Sequence, residues 1–418
     1  MRGRLAALFL VSLGLLSSTS QAVGADTSFI GPQKIWSYYY YADPDPAFNR
    51  VVVMDPKSMS EVGSIWVPGL SPHSADRAGN TNKMYVRTAG VRSFDVIDAL
   101  TKTYVKTVAL PHKPRAAGAY NQYLNLQLIS GKDHPMVSII DVATDTVVGT
   151  VGPEKKPGQT ISGNCGGNAT GHSCWLDATH FTLLDRYNDE VVVYQVVKND
   201  DDSYVFPVTQ RLPMPTGVHT LDVDVQDRSL NKVQYFAEIE GSKSKNIRPQ
   251  LLELVYVGDG KFAKGRTVLF DGVGSNDKVH HYGISPDGKQ IWQPICLSRK
   301  LFVVDIATMK TVKTYPIGLG GGHVNFSKQL NLAIVTNHFD DSVTIIDMKT
   351  DQVWNVNITH APQQDGLFIQ SHLNWVSPDG KFFYIFATHD GVFVEIDLVN
   401  KQVSRAVETG GTPEQSTS

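Results

Sequence analysis

VHHYGISPDGK, at residues 279–289, is one of several copies of a phrase that recurs along the chain. Near the C-terminus the phrase reads SHLNWVSPDGK, at residues 371–381, and a shorter copy reads GHVNFS, at residues 322–327. Each copy places a histidine four or five residues before a serine-led turn, and a run of strand-forming residues follows it. A histidine that recurs with a structural repeat is informative about both the fold and the function.

A second phrase, an apolar residue followed by aspartate, ends a β-rich run six times. The six aspartates are Asp55, Asp98, Asp141, Asp305, Asp347 and Asp397. Their spacing is 43 residues twice, then 164, and then 42 and 50. The interval of 164 residues has room for two degenerate copies, with third strands near residues 191–196 and 251–257. The chain therefore contains eight predicted units.

Helical periodicity is nearly absent, and 35 glycines and 21 prolines separate short runs of strand-forming residues. Four short strands in each repeat are typical of a β-propeller with one blade per repeat. We predict an all-β protein, with a single β-propeller of eight four-stranded blades at residues 26–409 and a disordered tail at residues 410–418. Seven blades would result if the first unit, which lacks an obvious innermost strand, completes the last blade.

The repeat pattern resembles the YVTN-type propellers and the related cytochrome d1-like propellers. The resemblance is clearest in NLAIVTN, at residues 331–337, and in DSVTIID, at residues 341–347. It covers nearly all of the chain after residue 25 and implies the propeller fold. Since such propellers serve as enzymes, chaperones and binding scaffolds, the resemblance leaves the function open.

The N-terminus has the pattern of a secretory signal peptide. Arg2 and Arg4 precede an apolar run at residues 5–16, and small residues with acceptable cleavage sites follow, which predicts a signal peptide at residues 1–25. We therefore expect a periplasmic or secreted protein without a membrane span after signal cleavage. The formal net charge of -3, with no basic block, argues against nucleic acid and anionic membranes as partners.

The three cysteines suit an exported chain. Cys165 and Cys174 lie nine residues apart in a loop rich in glycine and asparagine, a separation that can close as a local disulfide in an oxidising compartment. Two free thiols or two metal ligands are the alternatives. Cys296 lies in an apolar, strand-like run and is predicted to be a buried free thiol.

Alignment of the repeats on their second strands places a histidine at the start of the innermost strand in six of the eight units. These residues are His73, His172, His219, His280, His323 and His372, with His281 as a second candidate in its unit. The third unit has Arg115 near the equivalent position. Innermost strands line the axial channel of a propeller, so side chains at equivalent positions are expected to converge as a ring.

Neutral imidazoles are good ligands for zinc and copper, and the ring therefore predicts a site for one of these two metals. The first-choice ligands are His280, His281, His323 and His372, which come from three consecutive units, followed by His73 and His219, with His172 also in the ring. Carboxylates that could support the ligands are Asp76, Asp177, Asp222 and Asp365. His338 and His389, which follow second strands, could line the mouth of the site, although exposed loop histidines are more often without function.

Three functions are consistent with this pattern. The leading hypothesis is an exported metal-binding propeller that acts as a metallochaperone or a metalloenzyme, with a separate metal-transfer or electron-transfer protein as partner. The resemblance offers periplasmic zinc chaperones and nitrous-oxide reductases as precedents, but the chain lacks a histidine-rich arm and a cupredoxin domain. The second is a cytochrome d1-like tetrapyrrole protein, in which a histidine ligates iron and Arg115 pairs with a carboxylate. The third is a non-enzymatic interaction scaffold, with the histidines as a structural polar ring.

Overall fold

The computed structural model describes residues 39–43, 49–153, 158–161, 163–164, 168–221, 234–360, 362–363, 369–370, 374–412 and 415–417. Every regular element within these ranges is a β-strand, and the strands form the eight antiparallel sheets of an eight-bladed β-propeller and one additional two-stranded hairpin. The predicted signal peptide, Cys165, Asp222, Asp365 and His372 lie outside the described residues.

The strands are numbered in chain order. Blade 1 begins with β1 (Tyr39–Asp43), β2 (Arg50–Asp55) and β3 (Ser60–Trp66); blade 2 has β4 (Pro72–Arg77), β5 (Lys83–Thr88), β6 (Ser93–Asp98) and β7 (Thr103–Ala109). Blade 3 has β8 (Pro114–Asn121), β9 (Leu126–Gly131), β10 (Val137–Asp141) and β11 (Thr146–Val151); blade 4 has β12 (His180–Asp185), β13 (Glu190–Gln195), a small hairpin of β14 (Val197–Lys198) and β15 (Tyr204–Val205), and β16 (Val208–Pro213). Blade 5 has β17 (Val218–Thr220), β18 (Gln234–Ile239), β19 (Gln250–Gly258) and β20 (Lys261–Leu269); blade 6 has β21 (Gly283–Ile284), β22 (Gln290–Ile295), β23 (Lys300–Asp305) and β24 (Lys310–Pro316). Blade 7 has β25 (Gly321–Ser327), β26 (Leu332–Asn337), β27 (Ser342–Asp347) and β28 (Val353–Asn357); blade 8 has β29 (Trp375–Val376), β30 (Phe382–Ala387), β31 (Val392–Asp397) and β32 (Gln402–Glu408), and β33 (Gln415–Thr417) follows.

Both repeated phrases of the sequence are turns closed by their own side chains. In blade 2 the carboxylate of Asp98 accepts hydrogen bonds from the backbone amides of Leu100 and Thr101, both at 2.8 Å. In blade 6 the hydroxyl of Ser285 donates to Asp287 at 2.6 Å and accepts from the backbone amide of Gln290 at 3.0 Å. These short-range interactions explain why aspartate and serine recur at fixed places in the repeat.

The core lies between neighbouring blades. The middle strands are buried on both faces, so β23 and β27 read as continuous apolar runs, whereas the outer strand β24 is almost wholly exposed. Leu251 and Phe270 of blade 5, for example, share one buried cluster with Ile284, Ile291 and Phe302 of blade 6. This packing holds the innermost strands, and the segments that enter them, in fixed positions.

The prediction of eight blades is confirmed, and two details differ from it. Blade 4 has three regular strands, and its innermost segment joins the sheet only through isolated bridges from Thr170 to Asp185 and from Trp175 to Phe181. Blade 1 takes its innermost strand from the C-terminus, because β33 pairs antiparallel with β1. The prediction of a fully disordered tail was therefore wrong for residues 415–417, whose pairing covers a strand edge and completes blade 1.

The cysteine predictions have different outcomes. Cys296 is a buried free thiol, as predicted, and its Sγ lies 3.3 Å from the carbonyl oxygen of Gly321. Cys174 is buried with its Sγ 3.4 Å from Oγ1 of Thr182. Because Cys165 is not among the described residues, the disulfide remains a prediction.

No helix within the described ranges is long and apolar enough to cross a membrane.

Candidate metal centre

Six histidines from four consecutive blades meet where the chain enters the innermost strands. His172 precedes β12, His219 lies in β17, and His280 and His281 precede β21. His323 lies in β25, and His338 directly follows β26. Each ring contacts at least one other ring of the set, with centroid separations from 4.5 to 5.7 Å. The six residues are called the histidine cluster below.

The histidine cluster divides into two groups of three. Group A consists of His172, His219 and His281, and group B consists of His280, His323 and His338. In each group one ring nitrogen from every member lies within 4.8 Å of those of the other two. Three convergent imidazoles are a recurrent ligand set for zinc, with a fourth position open to water or substrate.

Backbone hydrogen bonds position the ligands of both groups. The amide of His172 donates to the carbonyl oxygen of His219 at 3.0 Å, which connects the entries of blades 4 and 5. The amide of His323 donates to Oγ1 of Thr336 at 2.9 Å, and the amide of His338 donates to the carbonyl oxygen of Gly320 at 2.9 Å. The ligands therefore sit on a backbone that is hydrogen-bonded across strands and between blades.

A buried carboxylate orients one ligand of group A. Nδ1 of His219 lies 2.5 Å from Oε1 of Glu240, and Nη2 of Arg186 donates to Oε2 of the same carboxylate at 2.6 Å. Both Arg186 and Glu240 are fully buried. The imidazole of a metal-ligating histidine usually donates its second N–H in this way, which fixes the tautomer and raises the basicity of the other nitrogen.

Burial favours the neutral form of four of the six imidazoles. It lowers the pKa of His219 to about 4, although the hydrogen bond to Glu240 acts in the opposite direction, and it lowers the pKa of His338 to about 4. The pKa of His172 and that of His323 fall well below the usual value, first through burial and then through neighbouring groups, which are mainly Arg115 for His172 and the other imidazoles for His323. Neutral imidazole is the form that binds a metal ion.

The glycine at residue 322 makes room for the imidazole of His338. A Cβ atom built at Gly322 would overlap the imidazole of His338, its nearest neighbours being Nε2, Cδ2 and Cε1 of that ring. Glycine at residue 322 therefore lets the ring enter the cluster from the turn that follows β26.

Two buried arginines lie beside group A. Nη2 of Arg115 is 3.5 Å from Nε2 of His219, and its Nη1 donates to the carbonyl oxygen of Thr170 at 2.8 Å. Arg87 forms an ion pair with Asp76 at 2.5 Å and donates to the carbonyl oxygen of Arg115. The cluster thus has positive charge on the side of blades 2 and 3.

Five of the seven histidines proposed from the sequence lie in the cluster. They are His172, His219, His280, His281 and His323. His73 lies at an irregularity between Pro72 and Ser74 of β4 and belongs to neither group, and His372 is not among the described residues. An alignment of the repeats by sequence cannot show this register shift in β4.

Two contributors were not among the proposed site residues. His338 was treated only as a residue at the mouth, and its position after a second strand was the available signal; His389, its counterpart in blade 8, is exposed and pairs with Asp390 at 3.0 Å. The spacing of residues in the repeats gave no indication that Glu240 would support a ligand. Of the proposed supporting carboxylates, Asp76 instead binds Arg87, and Asp177 binds His180 at 2.8 Å.

The fold and the site define an eight-bladed β-propeller with a cluster of buried and half-buried histidines at the entries to its innermost strands. No family model and no curated protein matches the chain. Among solved structures, the chain is similar to the dihydro-heme d1 dehydrogenase NirN in complex with DHE, with a TM-score of 0.66 and 10% identity over 94% of this chain and 78% of that one. It is also similar to apo AztD from Citrobacter koseri, with a TM-score of 0.57 and 11% identity over 91% and 97% of the two chains. A protein from Lactobacillus plantarum matches with a TM-score of 0.54 and 13% identity over 91% and 99%. These similarities show a shared propeller fold.

Proposed function

We propose that this protein is an exported propeller that binds zinc or copper through its histidine cluster. The observation that carries the proposal is the presence of two groups of three histidines whose ring nitrogens lie within 4.8 Å of one another. Burial keeps at least four of the six rings neutral at pH 7, and neutral imidazoles close together bind a transition metal without first losing protons.

The donor set favours zinc and copper over other cations. All ligand atoms within the two groups are imidazole nitrogens, whereas magnesium, calcium and manganese prefer carboxylate, carbonyl and water oxygens. Glu240 is held by Arg186 and His219, so it supports a ligand and leaves coordination to nitrogen. The residues present therefore fit a borderline or soft ion.

Three protein ligands leave a coordination position open, which suits both a metallochaperone that releases its cargo and a metalloenzyme that binds a substrate. A metallochaperone would pass its metal to a second protein, and a redox metalloenzyme would use a separate electron-transfer protein. The signal-like sequence at residues 1–25 supports a periplasmic or secreted location.

Metal analysis of the untagged protein tests this function. Protein exported to the periplasm and purified without a histidine tag should contain near-stoichiometric zinc or copper by mass spectrometry. The double variant His280→Ala/His323→Ala should lose group B while keeping the fold, which rests on packing between blades. His360→Ala, at an exposed histidine, is the matched control. Wild-type protein that stays metal-free after dialysis against both metals would contradict the proposal.

Tetrapyrrole binding is the second candidate. It is favoured by the similarity to NirN in complex with DHE and by two buried arginines, Arg87 and Arg115, which could pair with the carboxylates of such a ligand. Titration with haem should then produce a Soret band, and Arg115→Gln should weaken that binding. Absence of a Soret band at saturating haem would exclude haem as the ligand.

A further inference from the structure

We propose that the histidine cluster holds two metal ions, one in group A and one in group B. The inference rests on the proposed function and specifies how many ions the cluster binds and which residues hold each. Its support comes from the distances between ring nitrogens, from the stacking of His281 on His323 and from the assignment of two consecutive histidines to different groups.

Ring orientation distinguishes His281 of group A from His323 of group B. An imidazole donates to a metal ion in the plane of its ring, at about 2.0–2.1 Å for zinc. The rings of His281 and His323 are stacked, with centroids 4.5 Å apart and planes inclined by only 25°. Stacked rings do not direct their in-plane lone pairs at a common point, so this arrangement favours different ions for His281 and His323.

Within each group the rings are inclined to one another. In group A the interplanar angles are 43° for His172 with His219, 85° for His172 with His281 and 74° for His219 with His281. In group B the three angles run from 77° to 87°. Inclined rings can direct three in-plane lone pairs at a single ion. Because His280 is also inclined by 61° to His219 and by 64° to His281, the distances between ring nitrogens, and not the angles, define the two groups.

Consecutive histidines distribute the candidate ligands between the groups. Val279 pairs with Ile295 through an isolated bridge directly before these two residues. His280 belongs to group B and His281 to group A, although their ring centroids are only 4.5 Å apart. The entry to blade 6 therefore supplies one histidine to each group.

The two groups have different electrostatic surroundings. Group A lies beside Arg115 and has a ligand that is hydrogen-bonded to Glu240, whereas the ligands of group B contact Thr336 and the backbone of Gly320. Two dications on neutral imidazoles, with Arg115 next to one of them, favour small anions such as hydroxide at the open positions. Group A is expected to be the weaker of the two zinc sites.

Zinc stoichiometry of the full chain tests the inference. After equilibrium dialysis against zinc alone, the wild type should contain two equivalents. His172→Ala/His219→Ala and His323→Ala/His338→Ala should each retain one, and the fourfold variant should retain none. A wild type with one equivalent that either double variant abolishes would overturn the two-ion inference and leave the proposed function intact. A wild type without zinc or copper would overturn both.

Cobalt titration of the wild type gives the answer even if a variant fails to fold. The absorption of bound cobalt(II) should rise over two equivalents. The electron paramagnetic resonance signal should grow in proportion to the first equivalent of cobalt. It should grow by less with the second equivalent, because neighbouring ions couple. Saturation of both signals at one equivalent would overturn the inference.

Discussion

The Nδ1 atom of His219 lies 2.5 Å from Oε1 of Glu240, in a place where both side chains are buried. The carboxylate accepts the Nδ1–H proton, so the lone pair of His219 is on Nε2, the nitrogen that faces Arg115 and group A. If the proposed metal binds, Glu240 would be a positioning residue that acts on it through His219. The second carboxylate oxygen of Glu240 accepts a hydrogen bond from Arg186, so Glu240 also takes part in a buried ion pair that contributes to the stability of the fold.

Replacing Glu240→Gln should weaken zinc binding in group A and leave group B unchanged. The amide oxygen of glutamine accepts the same hydrogen bond but carries no charge, so the imidazole becomes a poorer donor. Loss of such a partner typically lowers metal affinity about 10–100-fold. Competition with a chromophoric chelator, which reports both equivalents, would measure the change.

A second variant separates positioning from stability. Glu240→Gln also leaves the charge of Arg186 in a buried site, and breaking a buried ion pair from one side costs about 3–5 kcal/mol. Arg186→Met/Glu240→Gln removes both charges and should regain most of this stability in urea denaturation. If zinc affinity returned together with stability, Glu240 would have only a structural role.

Gly322→Ala should remove the ion of group B without touching a ligand. The added methyl group would take the space of the His338 imidazole and force the ring out of the cluster. Zinc stoichiometry should fall from two equivalents to one, with group A retained. Gly274→Ala is the control, because a Cβ atom at residue 274 meets no heavy atom within 4 Å. A Gly322→Ala protein with two equivalents would contradict the role of His338.

The fold was predictable because its signals are local. Asp98 and its equivalents close turns through bonds to amides two and three residues further on, and Ser285 closes its turn within five residues. Such signals survive in each repeat and can be counted. The innermost strand of blade 1 was missed because β33 pairs with β1 across almost the whole length of the chain.

The site was predictable in part for the same reason. Five histidines share a repeat position, so the alignment identified them. His338 meets His280 only because blades 6 and 7 pack together, and Glu240 reaches His219 only because β17 and β18 are neighbours. The grouping of the rings depends on distances between ring nitrogens that no spacing in the sequence records.

Arg115→Gln should strengthen zinc binding in group A. The guanidinium lies 3.5 Å from Nε2 of His219, and charges about 5 Å apart repel by several kcal/mol at an effective dielectric constant of about 20. Even after screening, removal of this charge should raise the affinity of group A about tenfold or more, and it should lower the affinity of the bound zinc for azide. Chelator competition and azide titration of the cobalt-substituted protein measure the two effects.

Arg92→Gln is the matched control for this change. The side chain of Arg92 is about half exposed and pairs with Asp133 at 3.3 Å. Its replacement should leave zinc and azide affinities at the wild-type values, because solvent screens an exposed charge. Equal effects from the two arginine variants would show that net charge, and not the position of Arg115, controls binding.

His112 offers a test of acid stability away from the metal ligands. Its ring is buried, with Nε2 2.9 Å from Oγ of Ser138, and burial lowers its pKa to about 4 from an ordinary value near 6.5. The unfolded chain therefore binds a proton between pH 6.5 and 4 that the folded chain does not. Stability is full above pH 6.5 and is lost as the pH falls towards 4. His219 and His338 shift in the same direction and steepen the loss in metal-free protein.

His112→Gln should reduce this acid sensitivity and leave zinc binding intact. At about 1.4 kcal/mol for each pH unit, a pKa lowered from 6.5 to about 4 corresponds to about 3 kcal/mol of stability that depends on His112 remaining neutral. The free energy of unfolding of the wild type, from urea denaturation of metal-free protein, should therefore fall more between pH 7 and 4.5 than that of the variant. Parallel pH profiles for the two proteins would show that His112 titrates normally. Because the amide of the introduced glutamine can still reach Ser138, the variant should retain the fold at pH 7 and both zinc equivalents.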